Sequence, residues 1–451
     1  MIVMVWKQTC STIATLGMLG AVLTACGGAA TPETGGSGSS SAPPAAQKPS
    51  EPPAPVKLIM MQDGATITKE EFENLIAAPV KAKYPHITME LVVNSKADAG
   101  IQDFIASGEF PDLIFSTYPR ITNHRDLKTV EDLNPYVNKN NIDLKKYDPA
   151  ALQTAQVYSG DGKLYGLPFS LNFTATFYNK DIFDRFGVPY PKEGMTWDDA
   201  LETAKKLSRV MDGVEYKGAF IQGIGDVSTQ LGLPLVDPKT GKANITTQEG
   251  WKKLFDMYKA FNDIPNNKDA HAAATLTNGF LKDQKVAMAI SYDARIAALE
   301  KLYGTPQDFN WDLTQFPSFK EKPNTTVASS GHFLLLSSLG KHKEEAFKVI
   351  ELLGSTDVQK LITDHGRFTA LSDQSIKEMY GNNMKSLKGK NIKAVFKSQF
   401  AAPVAPHTNT AYVFKHINTS LTRVVNGEVD VNTAIREAEE AANKEIAEKS
   451  R

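Results

Sequence analysis

Three side chains able to bind a small polar molecule directly follow apolar strands. Asp63 comes after the β-prone run 56–62, and Tyr118 and Arg120 come after a similar run. A carboxylate accepts strong hydrogen bonds, an arginine donates through a planar fork, and a tyrosine ring can stack on a flat apolar face. Each also has an equally expected structural role: a turn before Gly64, core packing or surface charge. The pattern predicts a binding site and leaves the structural role open.

The order of the surrounding elements places these side chains at one edge of a sheet. The predicted elements are strand 56–62, helix 69–83, strand 87–93, helix 99–107 and strand 112–117. Alternating strands and helices predict a parallel sheet with helices on both faces. Ligands of such sheets bind beyond the carboxyl ends of the strands. The sequence therefore predicts an α/β fold with a binding mouth near Asp63 and Tyr118.

Beyond residue 160, the pattern predicts a second α/β region and a mostly helical end. The strands are expected at 163–169, 175–179, 217–222, 286–291 and 331–337, and helices at 181–186, 197–210, 248–261, 272–282 and 429–449. Apolar residues three to four apart in the last helix indicate one buried face and one solvated face.

Motifs typical of catalysis or metal binding are missing from the sequence. It has no nucleophile elbow, Walker A loop, zinc helix or Ca²⁺ loop, and Gly241-Lys242 is typical of a hairpin turn. The histidines His332, His407 and His416 lie too far apart to form a ligand motif. We therefore predict no catalytic residue, no metal and no cofactor. A glycosidase carboxylate pair assembled from distant positions stays open as an alternative.

Length and charge limit the class of protein. The chain has 451 residues, 41% of them hydrophobic, which favours two domains that each bury a core. Lys plus Arg number 50 against 51 for Asp plus Glu, so the formal net charge is -1. This balance argues against a nucleic-acid partner.

The N-terminus is predicted to be a signal peptide, residues 1–25. Lys7 precedes the apolar run 13–23, and the segment ends in Leu-Thr-Ala-Cys at Cys26. That ending resembles the bacterial lipobox, which implies that Cys26 carries lipid; an uncleaved anchor with a free Cys26 is the alternative. The only other cysteine, Cys10, would leave with the leader, so no disulfide is expected. Residues 26–55 are rich in Gly, Ser, Ala and Pro and are predicted to be a flexible linker.

Several segments together resemble the extracellular solute-binding protein family 1 of ABC importers, which includes maltose-binding protein. They are LYGLPF at 164–169, FYNKD at 177–181, TWDD at 196–199, PDLIFST at 111–117, VDPKTGKANITTQEGW at 236–251, KVAMAISY at 285–292 and SSGHFLLLSSL at 329–339. Each segment is a weak signal by itself, whereas their order along the chain is specific.

This resemblance implies a two-lobe, periplasmic-binding-protein-like α/β fold with three inter-lobe crossings. The crossings are expected near 168–175, 288–292 and 329–333. The implied boundaries are 56–170 for the first part of lobe 1, 171–288 for the first part of lobe 2, 289–330 for the second part of lobe 1, and 331–451 for the second part of lobe 2.

The resemblance also implies further ligand-binding residues along the cleft. Sugar-binding members commonly carry a tryptophan shortly after the strand that matches KVAMAIS, whereas Ala294 and Arg295 stand there in this chain. Tyr292 could take the place of that ring, and Asp293 with Arg295 would suit a polar or charged saccharide such as a uronate. Together with Asp63, Tyr118 and Arg120, the predicted set comprises Phe169, Asn172, Gln222, Tyr292, Asp293, His332 and Arg367.

The implied function is capture of a solute, a sugar or oligosaccharide, for delivery to an ABC permease. The protein would be lipid-anchored on the extracytoplasmic face of the cell membrane through Cys26. Two alternatives stay open. A secreted polysaccharide-acting lipoprotein enzyme would turn over a glycan, and a sensory or adhesion protein would bind a protein partner.

Overall fold

The computed structural model describes residues 53–449. The predicted signal peptide, the predicted lipidation site Cys26 and nearly all of the predicted linker lie outside the described residues.

Thirteen strands are present in the described residues, and they form two main sheets and one small one. Their bounds are β1 (Val56–Gln62), β2 (Ile87–Val93), β3 (Leu113–Thr117), β4 (Gly166–Asn172), β5 (Thr174–Asn179), β6 (Arg209–Met211), β7 (Val214–Ile221), β8 (Val286–Tyr292), β9 (Trp311–Gln315), β10 (Thr325–Ala328), β11 (Ser330–Leu336), β12 (Phe368–Thr369) and β13 (Gln399–Ala401).

Helices pack on these sheets and connect their strands. The α-helices are α1 (Lys69–Phe72), α2 (Ala78–Lys83), α3 (Asp98–Ser107), α4 (Tyr118–Asp126), α5 (Asn134–Lys139), α6 (Pro149–Ser159), α7 (Lys180–Phe186), α8 (Trp197–Leu207), α9 (Ile224–Leu231), α10 (Glu249–Asn262), α11 (Ala294–Leu302), α12 (Lys343–Leu353), α13 (Thr356–Asp364), α14 (Gln374–Lys377), α15 (Thr410–Val425) and α16 (Val431–Lys449). A π-helical turn, Glu73–Ala77, joins α1 to α2, and another forms Thr275–Lys282.

The first sheet defines lobe 1 and has the order β12-β4-β11-β3-β1-β2. Strand β1 pairs in parallel with β2 and β3, whereas β11 is antiparallel to β3 and β4. One apolar cluster, including Leu58, Ile76 and Phe347, covers one face, and another, including Ile114 and Phe333, covers the opposite face. Helix α1 begins with a capping box between Thr68 and Glu71, which fixes the direction of the chain after β1. The predicted parallel β-α-β core is confirmed.

The second sheet defines lobe 2 and has the order β6-β7-β8-β5-β9. Its strands β7 and β8 are parallel, while β5 runs antiparallel to both β8 and β9. The predicted helix 197–210 is too long: α8 ends at Leu207, because residues 209–211 pair with β7 across a turn at Asp212 and Gly213. Both turn residues have positive φ, which suits a tight hairpin.

The chain passes between the lobes at three places, as predicted, although one place is corrected. Strands β4 and β5 are separated only by Phe173, and β10 and β11 only by Ser329, so the first and last predicted crossings are right. The predicted crossing at 288–292 is wrong, because β8 and the following β9 both belong to the second sheet. The remaining crossing lies between β12 and β13, the latter pairing with β10.

The predicted lobe boundaries change accordingly. The segment 289–330 belongs to lobe 2, whereas β11, α12, α13 and β12 belong to lobe 1. Only the end of the predicted segment 331–451 is in lobe 2, where Val413 of α15 and Ile435 of α16 join the core around Trp251. Periodicity shows that a strand is buried but not which neighbour it pairs with, so the sequence could not decide these boundaries. Within residues 53–449, no helix is both long enough and apolar enough to cross a membrane.

Candidate functional site

A cavity of about 830 Å³ lies between the two lobes and is the candidate binding site. Lobe 1 contributes side chains from β4, β11 and the segment before β12, while lobe 2 contributes the ends of β7 and β8 and the first turn of α11. The volume falls in the range of small-molecule sites. Both lobes therefore supply its walls.

On the lobe 1 wall, Arg367 is held by three groups. Its Nε donates to Glu71 Oε1 at 2.8 Å, its Nη2 donates to the carbonyl oxygen of Thr66 at 2.9 Å, and its Nη1 lies 3.4 Å from His332 Nδ1. Burial by itself would raise the pKa of Glu71, but the hydrogen bond and charge of Arg367 lower it below its ordinary value. This wall therefore carries an ion pair of no net charge.

His332 extends the same wall as a neutral ring. Burial, followed by the charge of Arg367, lowers the pKa of His332 to about 3. Its ring stacks on Phe115 with centroids 5.3 Å apart, and Nδ1 lies 2.9 Å from Ser170 Oγ. Because arginine can only donate, Nδ1 accepts and the proton resides on Nε2. The Nε2–H group is thus the donor that His332 can offer to the cavity.

On the lobe 2 wall, a polar network orients Tyr292 and Gln222. Tyr292 Oη donates to Asp226 Oδ1 at 3.0 Å, and Gln222 Nε2 donates to Asp226 Oδ2 at 2.9 Å. Ser291 Oγ donates to Gln222 Oε1 at 3.0 Å. Burial is the main cause that raises the pKa of Tyr292, so its hydroxyl stays a donor. Tyr292 is partly exposed and lines the cavity, where an aromatic ring can offer a flat apolar face.

Asp293 and Arg295 stand at the start of α11 on the same wall. Burial raises the pKa of Asp293 to about 7, although backbone N–H groups and the charge of Arg367 act in the opposite direction. Burial lowers the pKa of Arg295, and Asp293 counteracts that effect. The Nε of Arg295 is buried and has no hydrogen-bond partner among the described residues. The charged groups here therefore make fewer hydrogen bonds with the protein than Arg367 and Glu71 do on the opposite wall.

Six of the ten predicted ligand-binding residues line this cavity and four do not. The residues brought together are Asn172, Gln222, Tyr292, Asp293, His332 and Arg367. Their part in ligand binding stays a prediction. Asp63, Tyr118, Arg120 and Phe169 lie elsewhere in lobe 1, and their predicted placement in the cleft is corrected.

Asp63 and Arg120 belong to a closed network inside lobe 1. Asp63 is 1% exposed and accepts from Arg120 Nε at 2.8 Å, Arg120 Nη2 at 3.1 Å and Asn94 Nδ2 at 2.8 Å. His124 Nε2 lies 2.8 Å from the same carboxylate, and Arg120 also bonds to Asp98. Their hydrogen-bonding capacity is used within the protein.

Tyr118 and Phe169 are core residues and cannot offer a stacking face. Tyr118 is 3% exposed, its ring lies 4.3 Å from that of Phe333, and its hydroxyl donates to the carbonyl oxygen of Ala151 at 3.2 Å. Phe169 is fully buried against Phe115. Side chains alternate along a strand, so Phe169 enters the core while its neighbour Ser170 lines the cavity.

The cavity also contains residues that were not predicted. Thr66 and Glu71 follow β1, and the Thr-x-x-Glu capping pattern beside a strand end was a signal that could have found Glu71. The other residues come from segments without such a signal; they include Ser170, Phe220, His271, Ser291, His365, Tyr380 and Met384. Arg295, which the sequence analysis considered together with Asp293, also lines the cavity.

The chain belongs to the bacterial extracellular solute-binding protein family, whose sequence profile matches residues 65–360. A galactooligosaccharide-binding protein of Bacillus subtilis is 22% identical over 327 residues, which cover 67% of this chain and 70% of that protein. A binding protein of Brucella abortus is 24% identical over 258 residues, covering 54% of this chain and 59% of that protein. The chain thus spans less than two thirds of the length of the Brucella relative.

The fold is similar to that of a sugar transporter from Rhizobium etli, whose crystal structure shows an open conformation. The TM-score is 0.72 at 21% identity, and the match covers 86% of this chain and 99% of that chain. This likeness confirms the predicted two-lobe fold.

Proposed function

We propose that the protein is the substrate-binding component of an ABC importer and captures a sugar or oligosaccharide in the cavity between its lobes. The observation that carries this proposal is a cavity of about 830 Å³ that is lined by polar groups from both lobes and by a partly exposed tyrosine. A saccharide presents hydroxyl groups and an apolar CH face, which match these two kinds of surface. The name of the Bacillus relative, a galactooligosaccharide-binding protein, gives further support.

The placement of the groups suits capture followed by closure of the lobes. Asn172 and His332 come from lobe 1, whereas Gln222 and Tyr292 come from lobe 2. A ligand that contacts both walls binds the closed form more tightly than the open form and shifts the equilibrium towards it. The three crossings would act as the hinge, and the closed form would deliver the saccharide to a permease without changing it chemically.

The same proposal includes a lipid anchor at Cys26 on the extracytoplasmic face of the membrane. Its support is the apolar run 13–23, the Leu-Thr-Ala-Cys ending and the linker that follows. A Cys26→Ser variant is expected to be released from the membrane or left unprocessed. Full membrane retention of that variant at mature size would contradict the anchor.

A cavity-filling substitution tests where the ligand binds. Ala297 is exposed on α11 and lines the cavity, so Ala297→Trp should block it; Ala447→Trp places the same ring on an exposed position of α16 and is the matched control. Wild type and control should gain melting temperature from a mono- or oligosaccharide, because a ligand of the folded state stabilises it by mass action. Ala297→Trp should lose at least about tenfold in affinity by calorimetry.

The result has clear contrary outcomes. If no saccharide stabilises the wild type, or if both tryptophan variants bind alike, the proposed site is wrong. The bound saccharide should be recovered unchanged by chromatography, and its cleavage would instead favour the hydrolase.

A further inference from the structure

The two arginines that line the cavity, Arg295 and Arg367, differ in how many hydrogen bonds and ion pairs they make with the protein. Arg367 donates to Glu71 and to Thr66, so both its charge and its N–H groups are used by lobe 1. The side chain of Arg295 is partly buried, and its Nε is fully buried without a hydrogen-bond partner among residues 53–449. A buried N–H donor without an acceptor is unfavourable. A hydrogen bond from a ligand to Arg295 should therefore stabilise the complex more than one to Arg367.

From this contrast we infer that the cavity recognises an acidic saccharide, a uronic acid, whose carboxylate pairs with Arg295. The inference rests on the proposed function and names its substrate class. A planar guanidinium matches a carboxylate with two parallel hydrogen bonds, which are stronger than those to neutral hydroxyls. A neutral sugar could accept from the N–H groups of Arg295 but would not pair with its charge, which is partly removed from water.

The neighbouring carboxyl group does not remove this preference. Burial raises the pKa of Asp293 to about 7, so near neutral pH a large fraction of the molecules carries no charge there. A protonated Asp293 can donate to an acidic ligand. The other ionisable groups that act on Asp293 are Arg367, which is already paired with Glu71, and Arg295 itself, together with neutral tyrosines.

The start of α11 adds a weaker effect of the same sign. Residues 294–297 of this nine-residue helix all line the cavity, so its N-terminal end lies at the cavity wall. The aligned peptide dipoles give that end a partial positive charge, which favours an anion. The rest of the wall suits a sugar ring, because Asn172 and Gln222 offer amide groups and Tyr292 offers an aromatic face.

Calorimetry with paired ligands tests the inference. The probes are the disaccharides of galacturonic, glucuronic and mannuronic acid, each compared with its methyl ester, which keeps the shape but removes the charge, and with neutral disaccharides. At least one free acid should bind wild type about tenfold more tightly than its ester. Arg295→Gln should reduce the affinity for that acid by about thirtyfold or more and the affinity for its ester by less than about threefold.

Two further variants keep the test independent of folding. Arg295→Lys keeps the charge but not the fork and should retain intermediate affinity for the acid. Arg436→Gln removes an exposed arginine of α16 and should leave every affinity unchanged. If neutral saccharides bind and no acid exceeds its ester, the inference fails while the proposed function stands. If neither kind of saccharide binds, the proposed function fails, and the inference fails with it.

Discussion

An aspartate and an arginine follow strand ends in each lobe, and the two combinations differ in how the protein satisfies their charges. In the pair Asp63–Arg120, every charge meets a protein partner, and His124 and Asn94 complete the network. In the pair Asp293–Arg295, the carboxyl has a pKa raised by burial to about 7 and the guanidinium has no hydrogen bond within residues 53–449. The difference teaches that spare hydrogen-bonding capacity, rather than residue type, distinguishes the wall of the candidate cavity.

Removing a charge from the closed network should have the largest effect. Asp63→Asn removes the charge that Arg120 and the fully buried His124 share and replaces one acceptor oxygen by a donor amide, which is expected to cost about 3–5 kcal/mol in the free energy of unfolding. Chemical denaturation measures this change. Saccharide affinity of the folded variant should stay unchanged, because Asp63 does not line the cavity.

Asp98→Asn is the matched control for that substitution. Asp98 also pairs with Arg120, but its side chain is 64% exposed, so its loss should cost less than about 1 kcal/mol. A stable Asp63→Asn variant that no longer binds saccharide would break the comparison and restore Asp63 to the ligand site.

The sequence predicted the bounds of individual strands well, but it did not predict which strands pair with each other. The predicted strand 286–291 differs from β8 by one residue, since a continuous apolar run between polar segments is a strong local signal. Strand β9 pairs with β5, and Thr176 lies opposite Thr314. The Thr176 hydroxyl also donates to the carbonyl oxygen of Gln315, 139 residues away. No local sequence pattern encodes contacts over such a separation.

The binding site shows the same limit. Tyr292 and Asp293 could be predicted because a recognisable strand precedes them and sets their position. Asp63 could not be told from a ligand group, because His124, its buried partner, is 61 residues away in the chain. Likewise, Phe169 was predicted to line the cleft, whereas the neighbouring Ser170 does so. Successive side chains of a strand point to opposite faces, so an error of one residue selects the wrong face.

Replacing Asp293 should change the stability of the folded protein less than replacing Asp63, and in the opposite direction. The folded-state pKa of Asp293, about 7, lies above its ordinary value of 3.8. The folded protein therefore binds more protons than the unfolded chain between these pH values, and stability falls as pH rises through this window. Asp293→Asn removes that loss, because the amide stays neutral. Arg295, Arg367 and the neighbouring tyrosines remain in both proteins.

Thermal unfolding of wild type and Asp293→Asn at a series of pH values from 5 to 8 measures the comparison most directly. The melting temperature of the variant relative to wild type should increase from pH 5 to pH 8, because the unfolded carboxyl is ionised at both pH values, whereas the folded carboxyl is mostly protonated at pH 5 and mostly ionised at pH 8. At pH 8 the variant should melt a few degrees higher. If the difference between the two proteins does not change with pH, or if wild type is the more stable at pH 8, Asp293 is satisfied as a carboxylate and the proposed contrast between the two pairs is wrong.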